Sequence, residues 1–316
     1  MNRCLVCTRP LAQADLPAYH SACAKRLFGS TRVPTLAIDK DSLKAMAARL
    51  LASRSAVTGV QAKLSLDLER VGAEQRLTVL EAGGKYILKP QTPHFEQLPE
   101  NEHLTMLLAQ TLEVPTARFG LVHLADGSLA YLTLRMDRTP VGKHLAMEDL
   151  AQVTETLTEG KYRSSTEKVA KAVLQYSAVP GQDKLNLFLL FLHIYLTGNA
   201  DMHLKNFSLL EAPEGLRLAP AYDLVNTRLA MPSDKEVFAL PLRGKKSRFK
   251  PDDLLSYLPT EVLNLPPKVA EVALRRIRQA LPLWPGLIEA SFLTDERKET
   301  YLALLQERTA ELGFSL

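Results

Sequence analysis

The sequence predicts an α+β chain of two lobes, the first rich in strands and the second in helices, behind a small cysteine-bearing module. Three observations point there. Short alternating or apolar runs separated by turn residues fill the stretch from Leu64 to Leu134, helical spacing dominates after Arg138, and all three cysteines fall within the first 23 residues. At 316 residues the chain is long enough for two cores, and 46% hydrophobic with 23% charged residues is ordinary for a globular protein. The net charge of +4 is spread along the chain and calls for neither nucleic acid nor an anionic membrane. The longest apolar run, Leu187 to Leu192, is too short to span a bilayer, and the start MNRCLVC lacks the apolar core of a signal peptide. The expected compartment is the cytoplasm.

Taken in order, Cys4, Cys7, His20 and Cys23 form a C-x2-C-x12-H-x2-C array, the thiolate and imidazole set that tetrahedral zinc takes. Four protein ligands leave no open position, so the expected zinc is structural. The competing reading is a set of unrelated buried thiols in a reducing compartment, and the odd cysteine count argues against a disulfide framework. A linker from Leu27 to Pro34 leads to a helix over Asp41 to Ser53, on the spacing of Leu43, Met46, Ala47, Leu50 and Leu51. The small-residue turn from Ser55 to Lys63 then runs into a strand over Leu64 to Leu68. Such a turn can offer backbone N–H groups to a phosphate, although Gly59 is its one glycine and it is no P-loop; alone it fits an ordinary hairpin as well. Strands follow over Arg76 to Glu81 and Lys85 to Lys89, joined at Gly83-Gly84. Lys89 ends its apolar strand as a phosphate-binding lysine would, or as a lysine snorkelling off a strand end would. The helix over Pro99 to Leu112 carries Glu102, a candidate ion-pair partner for Lys89, and Glu100, which competes for that role or only complements the helix dipole. Strands over Phe119 to Leu124 and Leu129 to Leu134 close the first half around Asp126 and Gly127, before an extended connector at Arg135 to Arg138.

Helices are expected over Met147 to Thr156, Ser165 to Ser177 and Gln182 to Thr197. The last emerges from a strongly apolar run into GNADMHLKN, residues 198–206, where Asp201 and Asn206 stand with four residues between them. That is the spacing of the Asp and Asn of a protein-kinase catalytic loop, in which the first orients the attacking hydroxyl and the second holds magnesium. Asp223 follows after a hairpin-like pair of segments, giving the order base, metal ligand, metal ligand. Chance spacing and a turn-capping Asp are the competing readings. Further on, Arg243, Lys245, Lys246, Arg248 and Lys250 form a basic cluster with Phe249 as its one aromatic, read as a solvated hairpin turn before a nucleic-acid patch. Helices over Pro267 to Leu281 and Asp295 to Leu312 complete the scaffold.

The ordered set TGVQAK, YILKP, ENEH, LRMDR, GNADMHLKN and PAYDL resembles the HipA family of bacterial toxin kinases from about Ser53 onward. The short N-terminal half is similar to the three-component HipT branch, in which a separate small protein supplies an N-terminal subdomain. The resemblance implies a two-lobed protein-kinase-like fold related to phosphatidylinositol kinases, with a zinc-ribbon-like module over 1–30, an N-lobe over 31–135 and a helical C-lobe over 136–316. It implies that Thr58, Gly59, Val60, Gln61, Ala62 and Lys63 cover the ATP phosphates, that Lys89 binds phosphate, and that Leu134, Arg135 and Met136 form the hinge beside adenine. Asp201 is the implied catalytic base; His203, Leu204, Lys205 and Asn206 complete the nucleotide and Mg2+ contacts, and Tyr222 with Asp223 supplies the second metal ligand. Family members phosphorylate themselves on a serine three residues before the loop glycine or on a hydroxyl just before it. Here Ala56 takes the first position, so Thr58, with Ser55 nearby, is the expected autophosphorylation site.

The implied partners are a small antitoxin in place of the missing subdomain and a DNA-binding HipB-like antitoxin, through which any DNA contact is indirect. The implied target is an aminoacyl-tRNA synthetase, whose modification inhibits translation and favours persistence. Two other functions compete: a catalytically silent, zinc-bearing adaptor or nucleic-acid-binding protein, and a small-molecule or lipid kinase. The joint presence of Lys89, Asp201, Asn206 and Asp223 argues against the first, and the weak basic cluster argues against a lipid surface.

Overall fold

Strict alternation in LSLDLERV sends Leu64 and Leu66 to one face, where both are fully buried, and this face organises a five-stranded antiparallel sheet. In a computed structural model the described residues are 2–12, 18–39, 41–43, 45–46, 61–72, 74–139 and 141–316. Residues 41–43 and 45–46 are helical, while the rest of the helix expected over Asp41 to Ser53 lies outside the described residues, as do Ser55, Ala56, Thr58, Gly59 and Val60. The chain divides into two compact units. The first comprises Met1–Leu104, Ala117–Arg138 and Ala290–Leu293; the second comprises Thr105–Thr116, Thr139–Glu289 and Thr294–Leu316.

In the first unit β1 (Leu64–Val71), β2 (Glu74–Leu80), β3 (Tyr86–Pro90), β4 (Arg118–His123) and β5 (Leu129–Leu134) lie in the order β2-β1-β3-β5-β4. The turn before β3 needs glycine at residue 84: a Cβ there would stand 2.2 Å from the Leu66 carbonyl oxygen. Residues 2–12 and 18–28, the latter ending in helix α1 (Ser21–Phe28), belong to this same unit and pack on β4. Leu121 N–H donates to Leu5 O at 2.8 Å, and a Cβ on Gly120 would stand 2.9 Å from both Val6 Cγ2 and Leu27 Cδ2. Helix α2 (Leu98–Thr111) begins in the first unit and continues into the second.

The second unit contains the short sheet β6 (Met147–Asp149), β7 (Ser208–Ala212) and β8 (Gly215–Leu218), in that order. The helix expected over Met147 to Thr156 is therefore corrected. Its first residues pair with β7, Met147 opposite Leu210 and Asp149 opposite Ser208, and only α3 (Leu150–Val153) is helical. Asp149 and Gln152 close a capping box that fixes the start of α3. Helices α4 (Thr166–Tyr176) and α5 (Pro180–Thr197) follow, then α6 (Thr227–Ala230), a π-helix over Asp253–Val262, α7 (Pro267–Ala280), α8 (Trp284–Glu289) and α9 (Asp295–Glu311). From Leu185 to Thr197 every residue of α5 is buried, as expected of a helix that is apolar all round. Among the described residues no helix is long and apolar enough to cross a membrane.

The basic cluster is the expected hairpin turn, with Leu242 bridged to Lys245 and with Arg243, Arg248 and Lys250 exposed, and part of it is ion-paired. Lys245 Nζ meets Asp253 at 2.7 Å, Arg243 reaches Asp252 and Asp253 at 3.0 and 3.3 Å, and Lys246 meets Glu236 at 3.0 Å.

Candidate active site

Lys89 lies on β3 opposite Tyr131 of β5, and its side chain is almost wholly withdrawn from water. Its Nζ is 2.6 Å from Glu102 Oε1 on α2 and 5.5 Å from the Tyr131 ring centroid. A buried ammonium needs such compensation: a counter-charge at hydrogen-bond distance, helped here by the ring's electron-rich face. The choice between Glu100 and Glu102 thus falls to Glu102. Of the expected phosphate loop, Gln61 donates from Nε2 to Pro90 O at 3.1 Å, tying the loop's end to the strand of Lys89; Ala62 is half-buried and Lys63 exposed. At the expected hinge Leu134 ends β5 and Arg135 N–H donates to Lys85 O at 2.8 Å, with Met136 half-buried beside them. The Arg135 guanidinium grips Asp137 through two hydrogen bonds of 2.9 and 2.6 Å, and Arg138 adds a third at 2.6 Å. Burial raises the Asp137 carboxyl pKa, but the two guanidiniums outweigh it and hold the group below its ordinary value.

The loop centre lies in the second unit and starts where α5 stops. Gly198 takes a left-handed φ of 66°, and a Cβ there would stand 2.7 Å from Leu304 Cδ2, so both backbone and space require glycine. The next turn is held from several directions. Ala200 N–H donates to Thr227 Oγ1 at 2.8 Å, Asp201 N–H donates to Asn199 Oδ1 at 3.1 Å, and Asn206 Nδ2 donates to Asp201 O at 2.8 Å. The Asp201 carboxylate itself is 53% exposed. Its Oδ1 accepts a 2.5 Å hydrogen bond from the Tyr162 hydroxyl and lies 4.0 Å from His203 Nε2, whose ring stands edge-on to Tyr162 at 5.0 Å. Burial, and then the charge of Asp201, push the Tyr162 pKa up, so the phenol is the donor of that bond. Burial also lowers the His203 pKa against the pull of Asp201 and Asp223, which favours a neutral imidazole.

The remaining expected residues gather around this loop. Leu204 is buried, Lys205 Nζ is 3.5 Å from Asp149 Oδ2, and Tyr222 donates its hydroxyl to Lys205 O at 2.8 Å while standing 2.6 Å from Ser208 Oγ. Asp223 is half-buried at a left-handed φ of 59°, a conformation that Asp adopts more readily than most side chains. Because the Asn206 amide nitrogen is committed to Asp201 O, its carbonyl end is the one available to a cation. That carbonyl and the Asp223 carboxylate are oxygen donors of the kind magnesium prefers. Tyr162 and Asp149 were not expected as site residues from sequence: no local motif ties either to the loop, and only the folded chain brings them to Asp201 and Lys205.

A second centre lies in the first unit. The ligand atoms of Cys4, Cys7, His20 and Cys23 all fall within 4.8 Å of one another. A tetrahedral zinc with bonds of about 2.0–2.3 Å fits donors that close. His20 Nε2 is 3.0 Å from Pro10 O, which fixes the N–H on that side and turns the lone pair of Nδ1 toward Cys7 Sγ, 3.4 Å away. Hydrogen bonds from Cys23 and Cys7 draw the Cys4 pKa far below the ordinary thiol range, whereas the Cys23 thiol is pushed up by those same contacts and by burial; with no cation present Cys4 is the thiolate of the cluster.

A model of the HipA-like C-terminal domain matches residues 55–284. A Haemophilus influenzae protein named as a kinase is 30% identical over 182 residues, which cover 54% of this chain and 52% of that protein. The HipA complex of Shewanella oneidensis with HipB and operator DNA matches with a TM-score of 0.65 at 25% identity, over 82% of this chain and 65% of its counterpart. The proinflammatory kinase CtkA of Helicobacter pylori shares the fold, with a TM-score of 0.53 at 17% identity over 78% of this chain and 93% of that one. The chain spans about half the length of the curated relatives it matches. With the domain model covering most of the chain, and the lysine pair and Asp201 loop standing within the residues it matches, the chain belongs to the HipA-like family.

Proposed function

We propose that the chain is an ATP-dependent serine/threonine protein kinase and the toxin of a HipA-type toxin–antitoxin system. The observation that carries this reading is the contact between Tyr162 and Asp201: an exposed carboxylate already accepts a hydroxyl proton donor, the interaction an acceptor serine or threonine would make with a catalytic base. In this reading Lys89 compensates phosphate charge, held in place by Glu102, and Leu134 to Met136 meet the adenine. Asp201 aligns the acceptor hydroxyl and takes its proton as the oxygen attacks the γ-phosphorus in line and ADP leaves. Magnesium, when held by Asn206 and Asp223, supplies neutralisation of the phosphate charge. Thr58, or Ser55 beside it, is the proposed autophosphorylation site; a phosphate there would repel those of ATP. The Cys4, Cys7, His20 and Cys23 centre holds a structural zinc.

The Shewanella complex supports a HipB-like antitoxin as partner, and by family resemblance any DNA contact runs through that antitoxin. By family resemblance, a small antitoxin and an aminoacyl-tRNA synthetase target complete the proposal. The ion-paired state of Arg243, Lys245 and Lys246 speaks against the direct nucleic-acid reading. The test is transfer from γ-labelled ATP to the proteins of a bacterial lysate. A discrete labelled band, with serine or threonine as the modified residue, is the expected result; no transfer after phosphatase pretreatment of the chain would sink the proposal.

A further inference from the structure

The cysteine module touches the structure that holds Lys89 through each of its ligand-bearing segments. Leu5 and Val6, the two residues between Cys4 and Cys7, are buried and spend their carbonyls outward: Leu5 O accepts from Leu121 N–H of β4 at 2.8 Å, and Val6 O stands 3.1 Å from His103 Nε2. His103 is the residue after Glu102 on α2, fully buried between the rings of Phe119 and Phe292. Beside His20, the Tyr19 hydroxyl donates to Leu121 O at 2.8 Å. From the helix that carries Cys23, Leu27 O accepts the hydroxyl of Tyr86 at 3.1 Å, and Tyr86 is the first residue of the strand that presents Lys89. One face of the module therefore braces the strand of the lysine and the helix of its glutamate, and the four-ligand cluster links the module's own segments, beside the hydrogen bonds from Leu5 N–H to Ala18 O at 2.9 Å and between His20 and Pro10 O at 3.0 Å.

We infer that metal occupancy of the Cys4–Cys7–His20–Cys23 centre sets the geometry of the Lys89–Glu102 pair, and through it the affinity for ATP, with His103 as the positioning residue that links the two. The inference rests on the zinc and nucleotide readings above. Physically, without a cation the cluster keeps only weak thiol contacts, Cys7 Sγ and Cys23 Sγ at 3.4 and 3.9 Å from His20 Nδ1, in place of four metal–ligand bonds, so the Cys4–Cys7 turn loses its strongest link to the His20–Cys23 segment. Loss of the metal releases the Cys4–Cys7 turn, takes the acceptor from His103, and frees the first turns of α2 and the start of β3 to move.

The test uses the full chain, with metal content read by elemental mass spectrometry. Zinc is stripped with a chelator that is then removed, and binding of a fluorescent ATP analogue is titrated in fresh magnesium. Hydrogen exchange of β3, of α2 and of α5 is followed in parallel. The expected results are one zinc per chain, an affinity for the analogue that falls about tenfold on stripping and returns with zinc, and faster exchange in β3 and the start of α2 with α5 unchanged. His103→Phe, which keeps an aromatic ring but no donor, should retain zinc and bind the analogue as weakly as the stripped protein does. Absence of metal from the purified chain overturns the zinc reading and the inference with it, and failure of the zinc-loaded chain to bind the analogue overturns the nucleotide reading and the inference. Bound zinc whose removal leaves affinity and exchange unaltered overturns the inference alone. Exchange that rises in α5 as much as in β3 does the same, because it marks general unfolding.

Discussion

The two centres that the proposed reaction needs are built in opposite ways. Lys89 and Glu102 are 3% and 1% exposed and answer each other's charge at 2.6 Å, whereas Asp201 is 53% exposed and is fixed through backbone contacts from Asn206, Asn199 and the Thr227-supported turn. A charge that must meet a polyanion is kept dry and therefore depends on its partner for the stability of the fold. A charge that must meet the hydroxyl of another macromolecule is left wet, so its removal should alter chemistry and leave stability nearly untouched.

Glu102→Gln gives the largest expected loss of stability. It removes the carboxylate charge 2.6 Å from the buried Lys89 ammonium, a change that costs about 3–5 kcal/mol, and urea denaturation should show it as a lowered midpoint. A cost under 1 kcal/mol would mean that the pair is wetter than its burial indicates. Acid should come next, through the second unit's buried His193, which hydrogen-bonds Thr105 O at 3.0 Å and whose pKa burial pushes down to about 4. Its unfolded pKa is higher, so its contribution is intact above about pH 6.5 and is lost as pH falls toward 4, about 2 kcal/mol of it by pH 5. Urea midpoints at pH 7 and pH 5, compared between the native chain and His193→Gln, measure that share. Gly198→Ala should cost about 1–2 kcal/mol for the left-handed backbone alone, plus whatever Leu304 must yield. The smallest effect on stability, under about 1 kcal/mol, belongs to Tyr162→Phe, which removes one partly exposed hydrogen bond. Since the lost hydroxyl competes with an acceptor for Asp201, the KM for a protein acceptor should fall about fivefold, the equivalent of that one bond; an unchanged KM with lower kcat would give Tyr162 an orienting role instead.

The same contrast explains what could be read from the sequence. The zinc ligands and the Asp201–Asn206 pair lie close along the chain, so spacing alone exposes them, and the strands carrying Lys89 follow from alternation and glycine turns. Glu102 could not be separated from Glu100 by spacing because both lie in the first turns of α2; the register that sets Lys89 opposite Tyr131 is what separates them. The region from Met147 onward satisfies a helical pattern, yet Asp149 and Gln152 form a capping box that already marked a later helix start, and pairing with β7 takes the residues before it. The contacts of Tyr162 with Asp201 and of His103 with Val6 span long sequence separations, for which no local pattern exists.

The central claim, that the buried pair binds and the exposed carboxylate reacts, is tested most directly by single-turnover transfer of the γ-phosphate by Asp201→Asn at saturating ATP. The variant should lose roughly two to four orders of magnitude in rate, the usual worth of a positioned general base, with its ATP affinity and melting temperature unchanged. A rate close to that of the native chain, or a loss explained by weaker ATP binding or by unfolding, would contradict it.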